Sequence, residues 1–252
     1  GVRVDLSAVA AGNGVAVAVG AAGTILRSDT PGVWTTELSG VASDLTSVTH
    51  GNGIFVAVGK SGTALYSSNG RAWLAWPTGQ SGTLNRVAWN GTAFMAGGAE
   101  GLLLKALPGG EWSVVAHPWA GYGNIGAIAG GGAGWVVGPG ILSTVRHSSD
   151  GITWTLREET YVEHLAVGGG KFAGTSIGGA IQTSEDGIVW SSYQTSLDVR
   201  FVAIEWTGSD FVAMTAKRQL AMSADGKRWT VRGMQLLVSD GCWDGSQYVV
   251  VG

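Results

Sequence analysis

The densest group of reactive side chains in this sequence lies at residues 157–164. Six of its eight positions carry groups that could bind a ligand or transfer a proton: Arg157, Glu158, Glu159, Tyr161, Glu163 and His164. Paired carboxylates beside a histidine can act as general acid and base, and carboxylates can also bind Ca²⁺. However, the sequence has no Asp-x-Asp-x-Asp-Gly loop. We predict a solvated connecting loop whose side chains are candidates for partner binding, and we assign no catalytic residue.

Metal and cofactor chemistry finds little support elsewhere in the chain. None of the four histidines has the spacing of metal ligands: His50, His117, His147 and His164. Cys242 is the single cysteine, which excludes an intrachain disulfide and a cysteine-based metal site. The glycine string at 130–132 lacks the Lys-Ser/Thr of a phosphate-binding loop. The sequence therefore predicts no metal and no cofactor.

Two aromatic residues between repeats are further binding candidates. Trp119 and Tyr122 lie in the segment 117–122, which we predict to be more exposed than the other tryptophan sites. Exposed aromatic rings can stack on sugars or anchor a protein partner. Packing back onto the fold is equally compatible with the sequence, and the same two possibilities apply to Trp76.

A repeated motif must position all of these residues. The pattern Ser-x-Asp/Asn-Gly-x-x-Trp occurs at 67–73, 148–154, 184–190 and 223–229, with degenerate copies at 28–34 and 107–112. The motif tryptophans are separated by 39, 39, 42, 36 and 39 residues, at Trp34, Trp73, Trp112, Trp154, Trp190 and Trp229. A period of about 40 residues indicates a repeat protein.

Each repeat reads as four short strands separated by Gly, Asn and Asp turns, with no helical periodicity. The second repeat shows this best, with an apolar run at 54–58 between turns at 51–53 and 59–62. Four strands per repeat is typical of a β-propeller. A partial seventh repeat begins at Leu237. We predict a single all-β domain over residues 1–252. The sequence is also compatible with this domain being a fragment of a longer chain. It would be a seven-bladed propeller with six full repeats of about 39 residues, closed by residues 1–5 as an outer strand.

The motif residues have structural explanations. Asp and Asn side chains accept hydrogen bonds from backbone N–H groups two residues on, and glycine adopts a positive φ. We therefore interpret Asn69, Asp150, Asp186 and Asp225 as turn-forming residues. The six motif tryptophans are interpreted as wedges between neighbouring sheets.

Composition narrows the possible partners. Charged residues make up 13% of the chain and the net charge is −3, which argues against binding nucleic acid. Every apolar run is too short for a membrane-spanning helix.

The motif resembles the Asp-box, or bacterial neuraminidase repeat, of sialidase-like propellers. This resemblance implies a structural role for the aspartates. In sialidases it would also imply an arginine triad, a Tyr/Glu nucleophilic pair and an acid/base Asp. Arg27, Arg86 and Arg200, with Tyr161 and Glu163, do not assemble that set in the sequence.

We therefore predict a non-enzymatic recognition or structural module that binds a protein assembly partner or a surface glycan. By resemblance, it would belong to a phage tail or fibre, or to a cell surface, and an extracellular or virion location is favoured over the cytoplasm. One alternative is a sialidase-like glycoside hydrolase. The other is an assembly-factor propeller, of the photosystem type, that binds a protein partner.

Overall fold

The chain folds into antiparallel sheets arranged around one axis. The computed structural model describes residues 4–117, 119, 121, 123–138, 144–197, 200–233 and 238–252. The strands, in chain order, are β1 (Leu6–Gly12), β2 (Val15–Gly20), β3 (Ile25–Thr30), β4 (Val33–Glu37), β5 (Leu45–Gly51), β6 (Ile54–Gly59), β7 (Ala64–Ser67), β8 (Leu74–Ala75), β9 (Leu84–Trp89), β10 (Phe94–Gly98), β11 (Leu103–Ala106), β12 (Ser113–Val114), β13 (Ala127–Gly131), β14 (Gly134–Gly138), β15 (Thr144–Ser148), β16 (Thr155–Tyr161), β17 (His164–Gly168), β18 (Lys171–Thr175), β19 (Ala180–Ser184), β20 (Ser191–Gln194), β21 (Phe201–Trp206), β22 (Phe211–Thr215), β23 (Gln219–Ser223), β24 (Thr230–Gly233), β25 (Asp240–Trp243) and β26 (Tyr248–Val251).

Consecutive strands pair in order, and each group of four forms one blade of a β-propeller. Strands β1 to β24 make six such four-stranded sheets, and β25 and β26 make a two-stranded sheet. The second strand of a blade is mostly apolar, and in β2, with the sequence Val-Ala-Val-Ala-Val-Gly, all but the first residue are buried. Such a run is typical of a strand covered on both faces. Here the neighbouring blades provide the cover.

The first strand of each repeat lies against the central axis, and these inner strands form a closed ring. Strand β25 contacts both β21 of the sixth blade and β1 of the first blade. The Val9 N–H donates a hydrogen bond to Asp240 Oδ2 at 3.0 Å across this junction. Val9 and Ala18 of the first blade also pack against Cys242 and Val251. The two-stranded sheet thus fills the gap between the sixth and first blades.

The prediction of seven blades is wrong, because the chain has six. The described part of the seventh repeat supplies only β25 and β26. The predicted closing strand at residues 1–5 falls partly outside the described residues, and Val4 and Asp5 are not in a strand. The Asp5 carbonyl accepts a hydrogen bond from the Ala21 N–H, just as the Asp44 carbonyl accepts one from Lys60. Asp5 therefore occupies the connector before an inner strand, and not the predicted outer strand.

The four intact Ser-x-Asp/Asn-Gly motifs form identical turns. In the fourth blade, Asp150 Oδ1 accepts hydrogen bonds from the N–H groups of Ile152 at 2.8 Å and Thr153 at 2.7 Å. Ser148 Oγ accepts one from the Gly151 N–H at 2.8 Å. Asn69, Asp186 and Asp225 make the same contacts in their blades. These side chains satisfy backbone donors at the tip of the turn between the third and fourth strands.

The motif tryptophans lie at the interfaces between blades. Trp73 and Trp112 are buried, and Trp34, Trp154, Trp190 and Trp229 are half-buried. Trp73 packs with residues of the first two blades, and its Nε1–H donates to the Gly70 carbonyl at 3.0 Å. Trp190 and Trp229 make the equivalent bond within their own turns.

Three long basic side chains each reach from one blade to the motif turn of the next, and we call these contacts latches. Arg27 Nε donates to the Asn69 carbonyl at 2.8 Å, and Lys105 Nζ donates to the Asp150 carbonyl at 2.6 Å. Lys171 Nζ donates to the Asp225 carbonyl at 3.2 Å. Each acceptor is the motif Asp or Asn of the following blade, so the motif turn also serves as a docking point between blades.

Candidate functional site

The inner strands enclose a cavity of about 320 Å³ on the propeller axis. Many of the positions that line it carry small side chains, including Ala8, Ala88, Ala127 and Ala166. Small residues are expected there because seven strands converge on one axis. The exceptions to this pattern define the candidate site.

Four of the titratable residues that line this cavity are charged residues, or a histidine far from the hairpin end of its inner strand, and we call them the channel cluster: Arg86, His164, Glu205 and Asp240. They belong to β9, β17, β21 and β25, so the third, fifth, sixth and seventh repeats each contribute one. Arg86, His164 and Asp240 pair with Gly97, Thr175 and Val251 of their second strands. Each of these three residues lies the same number of positions before the hairpin that joins the first strand to the second, so they occupy equivalent positions in their repeats. Glu205 lies two positions nearer to its hairpin, on the same side of the strand.

Burial shifts the pKa values of three residues of the channel cluster in the direction that favours their neutral forms. Burial, followed by the nearby Asp240 carboxylate, raises the pKa of Glu205 well above its ordinary value. Burial also raises the pKa of Asp240 to about 6, although Arg86 opposes this shift. Burial and then the Arg86 charge lower the pKa of His164 to about 4. Burial therefore favours the neutral forms of both carboxyl groups and of the imidazole, all of which line one cavity with Arg86.

Four aromatic residues surround the hairpin end of the channel, and we call them the aromatic rim: His50, Trp89, Trp206 and Trp243. Trp89 and Trp206 are seated on glycines of the preceding blade, since a Cβ at Gly51 or Gly168 would lie 2.2 or 1.9 Å from their rings. In the blade that precedes Trp243, the position equivalent to Gly51 and Gly168 is Thr207, so the Trp243 ring does not pack on a glycine. Trp243 is 38% exposed. It is therefore the rim tryptophan best placed to meet a partner.

The predicted exposure of Trp119 is wrong. Its side chain is only 7% exposed, stacks on His117 with ring centroids 4.0 Å apart, and packs edge-on against Trp154. The Arg146 guanidinium lies over its ring, 4.6 Å from the centroid. Tyr122 lies outside the described residues. Trp76 is also buried, with its Nε1–H donating to the Gly110 carbonyl at 2.9 Å.

The polar run at 157–164 is not the loop that the sequence predicted. Thr155–Tyr161 is β16, the outer strand of the fourth blade, in which Arg157 is half-buried and Tyr161 is exposed. Glu163 lies 3.4 Å from Arg200 Nε in an ion pair. Glu158 and Glu159 lie on β16, but their side chains are outside what the structure describes. His164 is the residue of this run that lines the channel.

The structure does not bring the three candidate arginines together. Arg27 is paired with Asp29 and bonded to the Asn69 carbonyl, and Arg200 is paired with Glu163. Arg86 is the one that lines the axial cavity. Within the described ranges, no three His, Cys, Asp or Glu residues are grouped as metal ligands would be. No described helix is long and apolar enough to cross a membrane.

Sequence reasoning missed Glu205, Asp240 and Trp243, and treated Arg86 only as a possible sialidase residue. No motif marks Arg86, Glu205 and Asp240, because most other repeats carry a small residue at the equivalent positions, such as Ala8, Ser47 and Ala88. Trp243 shares its position with Trp89 and Trp206. Aligning the inner strands by their hairpins would have placed Arg86 and His164 at the same level of the channel. The signal was therefore a departure from the repeat and not the repeat itself.

Comparison with solved structures shows the fold. YCF48 bound to D1 peptide has a TM-score of 0.76 at 15% identity, over 99% of this chain and 89% of that chain. The WD40 β-propeller domain of Doa1 has a TM-score of 0.77 at 16% identity, over 100% and 91%. Streptogramin B lyase has a TM-score of 0.84 at 12% identity, over 98% and 90%. No protein-family model and no curated protein sequence matches the chain. The chain is an all-β propeller like these proteins.

Proposed function

We propose that this protein is a protein-binding propeller that holds a segment of its partner at the hairpin end of the central channel. The observation that carries the proposal is the position of the channel cluster and the aromatic rim. In a chain with 13% charged residues, four titratable groups from four different repeats line one cavity. Trp243 stands beside them, 38% exposed.

The chemistry of this region suits binding to a peptide. Tryptophan and arginine are the residues that most often dominate the binding energy of protein interfaces, especially near the centre of the contact. Trp243 and Arg86 provide one of each around the same opening. The solved YCF48 propeller carries a bound peptide, which supports this class of partner by analogy of fold alone. The resemblance to Asp-box repeats adds a structural explanation for the turns and leaves the partner unspecified.

The test begins with selection of a displayed random-peptide library on the purified chain. The dissociation constants of selected peptides are then measured calorimetrically for wild type, Trp243→Ala and Arg86→Ala. We expect Trp243→Ala to weaken binding about thirtyfold, as for an interface residue worth about 2 kcal/mol. Arg86→Ala should weaken peptides that carry an acidic side chain.

Val114→Ala is the matched control, because Val114 is 59% exposed on the outer strand β12, away from the channel. It should leave the dissociation constants unchanged. Selected peptides that bind equally well to wild type and Trp243→Ala would contradict the proposal, provided that circular dichroism shows both proteins to be folded. A glycan partner and a virion or cell-surface location remain predictions from the sequence.

A further inference from the structure

The Glu205 carboxyl group lines the axial cavity and makes no hydrogen bond or ion pair with the described residues. Asp240, on the next inner strand, accepts one hydrogen bond from the Val9 N–H at 3.0 Å. Arg86 lies on the opposite wall of the ring of seven inner strands, where its guanidinium donates to the Asn85 carbonyl at 3.3 Å. The charged side chains of the channel therefore face open space, and carboxyl groups outnumber the guanidinium.

Glu205 faces β25, the inner strand of the seventh repeat. Trp206, the next residue, packs on Gly168 of the fifth blade, and successive side chains of a strand point to opposite sides. The Glu205 side chain must therefore point away from the fifth blade. Burial, followed by the Glu205 charge, raises the pKa of Cys242 and Tyr248, which lie on β25 and β26. This charge effect agrees with the strand geometry.

Trp243 faces Glu205 from the other side of this junction. Trp243 pairs with Tyr248 as Trp206 pairs with Phe211, so the two tryptophans occupy equivalent positions. By this register the Trp243 ring points to the sixth blade, as the Trp206 ring points to the fifth. Glu205 lies one residue further from the hairpin, which is about 3.3 Å deeper in the channel. A partly exposed indole ring thus stands at the entrance, above a carboxyl group that lines the cavity.

This combination of groups suits a positively charged ligand. Tryptophan is the aromatic residue whose ring face attracts an ammonium group most strongly. Burial raises the pKa of Glu205 well above its ordinary value and that of Asp240 to about 6, although the Arg86 charge opposes both shifts. One guanidinium therefore does not balance two buried carboxyl groups. An ammonium group would add the positive charge that they need, whereas an anionic ligand would increase the excess of acid.

A lysine side chain meets these requirements better than an arginine. The lysine ammonium is a compact charge with three donors, carried on a flexible four-carbon stem. The apolar stem can pack along an indole ring while the charged head reaches beyond it. Such a head can donate to Glu205 just below the entrance and to Asp240 further down the channel. A second guanidinium is larger and would lie close to that of Arg86.

We propose that the channel binds the ammonium group of a lysine side chain from the partner segment, between the Trp243 ring and the carboxyl groups of Glu205 and Asp240. The lysine stem packs on Trp243, and its ammonium group donates to Glu205. Arg86, on the opposite wall, stays available for an acidic side chain of the same segment. This inference rests on the proposed function, because the bound peptide must provide the lysine.

The first probe is n-butylammonium, which carries the lysine head on a four-carbon chain. It is titrated into the 252-residue protein, and the indole N–H signals are followed by nuclear magnetic resonance. We expect saturable shifts of the Trp243 signal. Glu205→Gln keeps the shape of the side chain and should weaken binding at least about tenfold, the effect of losing a hydrogen bond between charged groups. Glu111→Gln, at an exposed position outside the channel, is the matched control and should bind like wild type. The neutral n-butanol should bind at least about tenfold more weakly than n-butylammonium.

The affinity for n-butylammonium should also rise with pH, because the ammonium group takes the place of protons on the two carboxyl groups. Asp240, with a pKa of about 6, gains its charge between pH 5 and pH 8. His164, with a pKa of about 4, stays neutral, as do Cys242 and Tyr248 with their raised pKa values. We expect binding at pH 8 to be at least about tenfold tighter than at pH 5, since protonation removes a charged acceptor.

Three results would overturn the proposal: no saturable binding of n-butylammonium, equal binding by Glu205→Gln and wild type, or equal affinity at pH 5 and pH 8. The titration needs no peptide, so it decides whether the channel binds an ammonium group even if the peptide selection fails and the proposed function with it.

The selected peptides test the lysine itself. Those that lose affinity on Trp243→Ala should contain a lysine, and acetylation of that side chain should weaken binding at least about tenfold, because it removes the charge. Acetylation of the peptide N-terminus should leave the affinity unchanged, which separates a lysine from a terminal amino group. Peptides that depend on Trp243 and bind equally well with the lysine acetylated would overturn this inference and leave the channel as a peptide site.

Discussion

At the scale of single residues, Asp186 shows how one side chain holds a turn. Its Oδ1 accepts hydrogen bonds from the Ile188 N–H at 2.7 Å and the Val189 N–H at 2.9 Å. We expect Asp186→Ala to lower the free energy of unfolding by on the order of 1 kcal/mol. For a domain of this size that corresponds to a melting temperature about 2–4 °C lower, measurable by calorimetry.

Asp186→Asn is the matched control, because Asn69 already makes the same turn in the second blade. It should melt within about a degree of wild type, below the shift expected for 1 kcal/mol. The backbone hydrogen bonds lower the pKa of Asp186, so its contribution is present above the unfolded-state pKa and is lost as pH falls further. If Asp186→Ala melts like wild type at pH 7, the turn does not depend on this carboxylate.

In the channel, we expect Glu205 to make the folding stability depend on pH in the opposite direction. Burial and the Asp240 charge raise its pKa, so the folded state binds a proton that the unfolded state has released. The loss of folding stability caused by this residue is absent below its unfolded-state pKa, near 4, and grows as the pH rises towards its folded-state pKa. Glu205→Gln should therefore raise the melting temperature at pH 8 by at least about 2 °C, and should change it little at pH 4. A variant that melts below wild type at pH 8 would show that Glu205 is held by a stabilising partner.

At the scale of the strand and turn, two glycines with the same backbone conformation have different surroundings. Gly62 has a φ of +65°, and a Cβ there would lie 1.8 Å from the Gln80 carbonyl oxygen. Gly53 has a φ of +74° with open space around it. We expect Gly53→Ala to cost about 1–2 kcal/mol from the left-handed backbone alone. Gly62→Ala should cost at least about 3 kcal/mol, because the backbone must also move. Urea unfolding of the two variants measures this difference, and equal costs would contradict the close approach.

Much of the strand arrangement could be predicted from the sequence, and the exceptions have physical causes. The apolar run at 54–58 correctly predicted β6, because a strand that is covered on both faces needs apolar residues along its length. The run at 157–164 was misread as a loop because an outer strand has one face in water and can be strongly polar. Trp119 was misjudged because its position between repeats says nothing of the His117 and Trp154 rings that cover it.

At the scale of the whole molecule, the number of blades could not be read from the number of repeats. Seven inner strands are predicted by seven hairpin patterns, whereas a blade also needs its third and fourth strands. The channel cluster escaped prediction for a related reason. Arg86 and Asp240 are 154 residues apart in the sequence, and they line the same cavity only because the ring closes.

Ring closure itself can be tested by removing residues 238–252. This deletion exposes Val9 and Met214, which are now 4% and 0% exposed. Losing the burial of these two side chains alone should cost about 3–6 kcal/mol. We expect a much lower urea midpoint and a broader transition, since the first and sixth blades would no longer be joined. Deletion of Gly252 alone is the control and should change neither. An unchanged midpoint after the longer deletion would show that the two-stranded sheet is dispensable.

The latches have a mechanical consequence. Their donors, Arg27, Lys105 and Lys171, belong to the first, third and fifth blades, and their acceptors belong to the second, fourth and sixth. The latches therefore tie the described ring into three couples. The second and third blades, which share no latch, are joined by apolar packing and by neutral hydrogen bonds such as that from Trp76 to the Gly110 carbonyl. Stretched from its two ends in optical tweezers, the molecule should lengthen in jumps of two repeats, and replacing Lys105 with methionine should split one of those jumps in half.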